Sequence, residues 1–266
     1  MSTLYFPQLA TGSISQFPGR KQILQRTIVN RTPGIGTVKM ADPEGAAKRW
    51  DLRYSGLTDA ELAALHDLFS ACEGRLQDFM FPDPFGNLLR WTEDLSNSVW
   101  QGSVQTSAGI EDPNGGTSAW RLTNAAQAAQ SLTQSIDAPG WYRYAFSLWV
   151  RSSSTATVTL RLENGDGIIT AQRPISTDWE RICVSGGVPG NAEEIRCCLE
   201  LPLACAVDVF GPQLEAQADA SGYRKTTGTP GVYTARFDQD EFECISNGPD
   251  NHSARIRVVS VKGIAT

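Results

Sequence analysis

Over residues 142–151 apolar and polar side chains alternate so regularly that only one kind of structure accommodates them. Tyr142, Tyr144, Phe146, Leu148 and Val150 fall on one side of an extended chain, and Arg143, Ala145, Ser147, Trp149 and Arg151 on the other. A period of two in aromatic and aliphatic residues belongs to a half-buried strand, whereas a helix would repeat every 3.6 residues. The pattern continues downstream, where Val158, Leu160 and Leu162 alternate with Thr157, Thr159 and Arg161. Asn164-Gly165-Asp166-Gly167 then has the composition of a hairpin turn. Further strands are predicted at 118–123, 131–136, 179–185, 194–201 and 206–210. About eight short strands at this spacing make a β-sandwich or jelly roll.

The flanks read differently. Residues 28–31 and 50–54 are strand-like, the second placing Trp50, Leu52 and Tyr54 on one face. A helix follows. Thr58 is its N-cap, Glu61 completes a capping box, and Leu57 is placed to staple against Leu62. Leu62, Leu65, Leu68, Phe69 and Cys72 form its apolar stripe, His66 falls on the solvent side, and Gly74 ends it. A strand with Phe79 and Phe81 runs into the breaker Pro82-Asp83-Pro84. Residues 225–231, polar and rich in Gly and Thr, read as a linker, after which strands are predicted at 232–237, 242–246 and 254–261. Two or three strands without a helix are too few for a separate core. The expectation is a mainly β chain in which a discontinuous small β-barrel with one packed helix (1–84 plus 226–266) is interrupted by a jelly-roll-like β-sandwich (85–225).

Charge and cysteine usage narrow the function classes. The 266 residues carry a formal charge of −6, which disfavours bulk nucleic-acid binding. The charge is uneven: residues 1–40 hold no Asp or Glu, and Arg20, Lys21, Arg26, Arg31 and Lys39 give +5, leaving −11 for the rest. This reads as an electropositive assembly surface meeting an acidic partner or a neighbouring subunit, or as a solvated basic face. No apolar run approaches the ~18 residues of a membrane span, and the N-terminus lacks the pattern of a secretory signal. The six cysteines show no C-x-x-C spacing, so metal binding is not expected and buried free thiols are, consistent with a reducing cytoplasm.

Residues 206–223, A-V-D-V-F-G-P-Q-L-E-A-Q-A-D-A-S-G-Y, resemble the closing strand and exit turn of carbohydrate-binding-type sandwiches in phage tail proteins. The resemblance lies in Gly211, Gln213, Leu214 and Glu215, then Ala220, Ser221 and Tyr223. The flanks are similar to the distal tail protein family of phages and gene-transfer agents. Leu68-Phe69, Glu73-Gly74 and Phe79-Met80-Phe81-Pro82-Asp83 match its helix end and aromatic strand, and 235–241, A-R-F-D-Q-D-E, match a later strand. The resemblance implies a virion tail protein assembled in the bacterial cytoplasm. It implies a homo-hexameric ring that joins the tail tube protein to the tip hub or baseplate, with a peripheral module that touches host glycans. A receptor-binding or glycan-binding tail adhesin is the alternative, and a glycan depolymerase a more distant one.

Candidate chemistry follows from side chains. Sugar rings stack on flat exposed aromatics while flanking polar groups bond their hydroxyls. Trp149, with Arg143 and Arg151 on the same side of its strand, is the expected platform; Trp91, Trp100, Trp120, Trp141 and Trp179 are alternatives, each equally suited to core packing. For ring contacts, Arg20, Lys21 and Arg26 are expected to pair with Asp238 and Asp240, which alternation places together away from Phe237. His66 and His252 are the only histidines and neither has a nucleophile context. Glycosidases need two carboxylates facing one bond; the sandwich offers Glu163, Asp166, Glu180, Glu200, Asp208 and Glu215. No catalytic residue, metal or cofactor is assigned.

Overall fold

The computed structural model describes residues 3–32 and 36–261. Seventeen elements occur in the order β1 (Arg20–Thr32), β2 (Gly36–Leu57), α1 (Asp59–Ala71), β3 (Phe79–Pro82), β4 (Gln101–Gly102), β5 (Gln105–Ile110), β6 (Ala119–Asn124), β7 (Gln130–Asp137), β8 (Arg143–Arg151), β9 (Ala156–Glu163), β10 (Ile168–Ile175), β11 (Glu180–Gly187), β12 (Glu194–Leu201), β13 (Cys205–Glu215), β14 (Val232–Phe237), β15 (Cys244–Ser246) and β16 (His252–Ser260). The chain divides into two compact units. One comprises Met1–Leu9, Ser15–Phe81 and Tyr233–Thr266, and the other Ala10–Ile14 and Pro82–Val232.

The first unit, the frame, is a sheet in the order β1-β2-β16-β14-β3, with β15 paired to β16 and α1 packed on one face. Thr58 caps α1 through the reciprocal bonds of a capping box: Glu61 N–H donates to Thr58 Oγ1 (3.2 Å) and Thr58 N–H to Glu61 Oε2 (2.9 Å). The helix presents Leu65, Leu68 and Cys72, all buried, to the sheet. Alternation on β2 and β16 sends Trp50, Leu52, Tyr54, Ile256 and Val258 into the same core. Aromatic rings fill the remainder: Phe79 lies 4.8 Å from Phe237, Phe81 4.9 Å from Trp50, and Phe69 5.1 Å from Phe237 between centroids. His66 is exposed on α1, edge-on to Phe242 at 5.5 Å.

The long strands β1 and β2 outrun the rest of the sheet. β16 accompanies β2 only from Arg49 to Leu57, so 26–32 and 36–42 continue as a two-stranded antiparallel arm. A register shift between Leu24 and Arg26 marks its root. Ile28 pairs with Met40 and Asn30 with Val38 on one face; Val29 pairs with Lys39 and Arg31 with Thr37 on the other. One face is therefore apolar and the other basic, and Ile28, Val29, Val38 and Met40 are 37–53% exposed.

The second unit is a sandwich of two five-stranded antiparallel sheets, β10-β9-β12-β7-β4 and β11-β8-β13-β6-β5. Apart from the β5–β6 and β9–β10 pairs, successive strands switch sheets, as in a jelly roll. Tyr144, Phe146, Leu148 and Val150 from β8 and Val158, Leu160 and Leu162 from β9 are buried on the inner faces, as their alternation predicts. Asn164 closes the β9–β10 turn, its Oδ1 accepting from Asp166 N–H (3.0 Å) and Gly167 N–H (2.9 Å) while Gly165 sits at φ +85°.

Several expectations need correction. The 225–231 segment is not a free linker. Trp91 N–H donates to Thr227 O (3.1 Å), Thr226 N–H to Thr92 Oγ1 (3.0 Å) and Asp83 N–H to Gly231 O (2.9 Å), so backbone bonds hold it in the sandwich unit. β14 stops at Phe237, but burial keeps alternating beyond it: Phe237 and Gln239 are buried while Asp238 is half-buried and Asp240 exposed, on the side away from Phe237. His252 opens β16, buried, with Nε2 2.5 Å from Asp59 Oδ1. Not every thiol is buried: Cys244 is exposed and Cys183 half-buried. Cys197 points inward and Cys198 outward beneath Arg161, whose Nη2 lies 3.1 Å from its sulfur.

Candidate functional site

Cross-strand register assembles the outer face of the β11-β8-β13-β6-β5 sheet row by row. In one row Trp149 lies between Arg181 on β11 and Phe210 on β13. In the next, Arg151 lies beside Asp208, which faces Arg121 on β6. Arg121 grips the buried Asp208 carboxylate with two bonds (2.7 and 3.1 Å), and Arg151 Nε adds a third (3.1 Å). That bidentate grip raises the Arg121 guanidinium above its already high value, through hydrogen bonding and charge. The Arg151 guanidinium also lies over the Trp179 ring, 4.7 Å from the centroid.

The exit turn covers the lower half of this face. Tyr223 packs edge-on against Phe210 at 5.2 Å and reaches Thr92 Oγ1 with its hydroxyl (3.0 Å). Burial first, and then the nearby Glu93 carboxylate, push the Tyr223 phenol up, against the pull of the Thr92 bond. Gln213, fully buried, donates to Glu215 Oε2 (2.8 Å) and accepts from Arg224 N–H (2.7 Å). Arg181 Nη1 donates to Ser221 O (2.5 Å) and Nη2 to Ser147 Oγ (2.9 Å). Gly211, Gln213, Glu215, Ser221 and Tyr223 thus form a buried polar clasp that holds the turn on the sheet. Their role is architectural.

What stays open is a strip bearing Trp149 and Trp179, both half-buried, with Arg121, Arg151 and Arg181 around them. The Trp149 indole N–H has no partner among the described residues, and neither do Trp179 Nε1 and Arg181 Nε. Trp149 and Arg151 are neighbours two residues apart on one strand face, about 7 Å along it. Arg143 is exposed at the far end of the strand, about 20 Å from Trp149, where its stem lies against Gly12. The structure therefore does not bring Arg143 to the platform. Arg121 and Arg181 are not legible as members, because only register places Arg181 beside Trp149 and Arg121 across Asp208 from Arg151.

Three of the other tryptophans serve the fold. Trp100 is buried with its N–H on Trp91 O, Trp120 donates to Glu93 O, and Trp91 sits against Gly228 at φ +52°. Trp141 is exposed, edge-on to Tyr142 at 6.0 Å.

Among the six carboxylates, Asp208 and Glu215 lie on one outer face and Glu163 and Glu200 on the other. Glu163 and Glu200 are paired with Arg196 (3.4 Å) and Arg161 (2.7 Å). Four strand residues separate the levels of Glu163 and Glu200, about 14 Å, beyond the ~5–9.5 Å of a glycosidase pair. Glu163 and Asp166 do share a depression of about 470 Å³, but no aromatic side chain lines it and Asp166 is occupied by Asn191 N–H (2.9 Å). Glu180 is exposed at the start of β11.

In the frame, Arg20 faces Asp51 across the strands, Lys21 Nζ sits 5.9 Å from the Trp50 ring, and Arg26 pairs with Asp42 at 3.2 Å. Asp238 pairs with Arg49 (2.7 Å) and Asp240 with Arg75 (3.5 Å). Within the chain, then, none of the three cations meets Asp238 or Asp240.

No family model and no curated protein matches this chain. Among solved structures, it is similar to the C-terminal family 22 carbohydrate-binding module of Clostridium thermocellum Xyn10B, at 14% identity over 53% of this chain and 99% of that one, TM-score 0.44. It is also similar to the module TmCBM61, solved with β-1,4-galactotriose, at 12% identity over 48% of this chain and 97% of that one, TM-score 0.40. A third likeness is to the enzymatically active domain of bacteriophage CBA120 tailspike protein 4, at 16% identity over 51% of this chain but 22% of that one, TM-score 0.40. At TM-scores below 0.5 these likenesses carry no functional argument.

Proposed function

We propose that this chain is a structural subunit of a tail-type particle, a distal ring protein that joins a tail tube to a tip hub or baseplate. The observation that carries the proposal is the β1–β2 arm. A lone two-stranded ribbon is marginal in water, and this one leaves Ile28, Val38 and Met40 in a row on one face with Arg31 and Lys39 on the other. Such an arm is explained by a neighbour that covers it, and repeated head-to-tail contacts of one kind close into rings. The cations at 20–39 and the exposed acids at 240–243 lie on the same unit, which suits contacts between successive copies. Arg20, Lys21, Arg26, Asp238 and Asp240 remain the ring contacts assigned to this reading. The test is the double variant Ile28→Glu/Met40→Glu. It should keep the wild-type circular dichroism and melting temperature and lose the oligomer. An unchanged oligomer would remove the arm from the account.

A second reading concerns the sandwich, and Trp149 favours it. A half-exposed indole with a free N–H, flanked by guanidinium groups, is suited to stack on a sugar and bond its hydroxyls. In this reading the sandwich contacts host-surface glycans, as in a tail adhesin, while the frame holds it on the particle. Binding on a glycan array that disappears in Trp149→Ala is the expected result; binding that persists in the variant contradicts the assignment.

A further inference from the structure

The sandwich is acidic, yet its one aromatic strip is surrounded by positive charge. The unit holds ten basic and sixteen acidic side chains, a net −6. On the outer face of the β11-β8-β13-β6-β5 sheet, however, the carboxylates of β13 are both consumed. Asp208 is 5% exposed and held by Arg121 and Arg151. Glu215 is 3% exposed and held by Ser221, Gln213 and Arg224. The guanidinium groups around Trp149 keep unused donors. Arg181 makes one bond from each terminal nitrogen, so each retains a second N–H, and Arg121 is half exposed beyond its grip on Asp208. Glu111, exposed, stands 4.0 Å from Arg151, and Asp178, Glu180 and Asp219 are exposed as well.

We infer that the ligand class of this strip is an acidic glycan: a pyranose ring stacked on Trp149, with its carboxylate received by Arg181 and Arg151. The inference rests on the glycan-contact reading above. Arg181 is the direct cross-strand neighbour of Trp149 and Arg151 the next residue on the same strand face. A stacked sugar about 5 Å across thus has a guanidinium at its edge in both directions. Guanidinium presents paired N–H groups that match a carboxylate. The ion pairs of Asp208 with Arg121 and Arg151 offset the charge that would repel such a ligand. A neutral glycan can bond these donors through its hydroxyls but leaves their positive charge without a counter-charge, so the strip discriminates by charge and not only by shape.

The test uses the full chain and titrates it with oligogalacturonate and with its methyl ester, and with a sialylated glycan and its asialo form, by calorimetry and tryptophan fluorescence. The expected result is binding of at least one acid, at least tenfold weaker for its neutral counterpart, weakened further by 0.5 M salt and lost in Trp149→Ala. Arg181→Gln removes a donor of the clasp and can unfold the turn. Arg151→Gln, which leaves the two bonds of Arg121 on Asp208, therefore serves as a second variant, expected to lower the affinity for the acid by more than that for the ester. Equal affinity for acid and neutral forms, lost in Trp149→Ala, overturns the acidic class and leaves the glycan reading standing. Absence of binding to all four probes overturns both.

Discussion

The Ser221 hydroxyl lies 2.5 Å from Glu215 Oε1, and the Ser221 N–H donates to the other oxygen of the same carboxylate at 2.9 Å. With Gln213 and Arg224 also bonded to Glu215, the carboxylate is saturated and almost wholly buried. Removing one member of such a set strands the others without water or partner. Glu215→Ala is therefore expected to destabilise the sandwich by about 2–3 kcal/mol, measured by urea denaturation. A change within ±0.5 kcal/mol would show that the clasp is ornamental to the fold.

Gly211 is part of the same turn. It adopts φ +60°, and a Cβ there would lie 3.1 Å from the Tyr223 ring. Gly211→Ala should cost about 1–2 kcal/mol from the left-handed backbone alone, visible as a lowered melting temperature, and Tyr223→Phe less.

Acid should act through identifiable carboxylates. Burial works to raise Asp112, but N–H donation from Ser118, Asn114 and Gly116 outweighs it, holding the carboxyl below its ordinary 3.8. The Arg255 bond holds Asp51 low in the same way, more than burial raises it. A depressed folded-state value means that the stabilisation is present above the ordinary carboxylate range and is lost as pH falls through the lower folded value. Stability measured from pH 6 to pH 2 should fall mainly below about pH 4, and Asp112→Asn should flatten that limb while lowering stability at pH 7. An acid limb unchanged in the variant would contradict the assignment.

Thiol reactivity should be unequal. Burial, assisted by Asp78, pushes Cys72 up to about 11, and burial also raises Cys183, Cys197, Cys198 and Cys205. Cys244 is exposed on β15. Native-state labelling at pH 7.5 should modify Cys244 first, with the other five slower by at least tenfold. Fast labelling of two or more would contradict the burial pattern.

Legibility in the sequence tracked how local each rule is. The Thr58–Glu61 capping box, the β8 alternation and the Asn164–Gly167 turn all depend on residues within a few positions, and each was readable. The arm was read only at 28–31, because a ribbon exposed on both faces has no buried side to impose a period of two. β10 leaves no alternating trace for a related reason: Ile168 is half exposed and Pro174 interrupts the pattern of an edge strand. The 225–231 segment reads as a linker because it is held by backbone and hydroxyl bonds, which leave no apolar trace. At the candidate site, Trp149 and Arg151 were legible by alternation, whereas Arg121, Arg181 and the covered Asp208 depend on register between strands up to ninety residues apart.

The central claim, that this chain works as part of a closed assembly through its arm, is tested most directly by the mass of the purified protein in solution. Light scattering from 1 to 100 μM, wild type beside Ile28→Glu/Met40→Glu, should give a discrete multiple of 28.9 kDa for the wild type and 28.9 kDa for the variant. A wild-type mass of 28.9 kDa across the whole range, equal to that of the variant, would contradict the account.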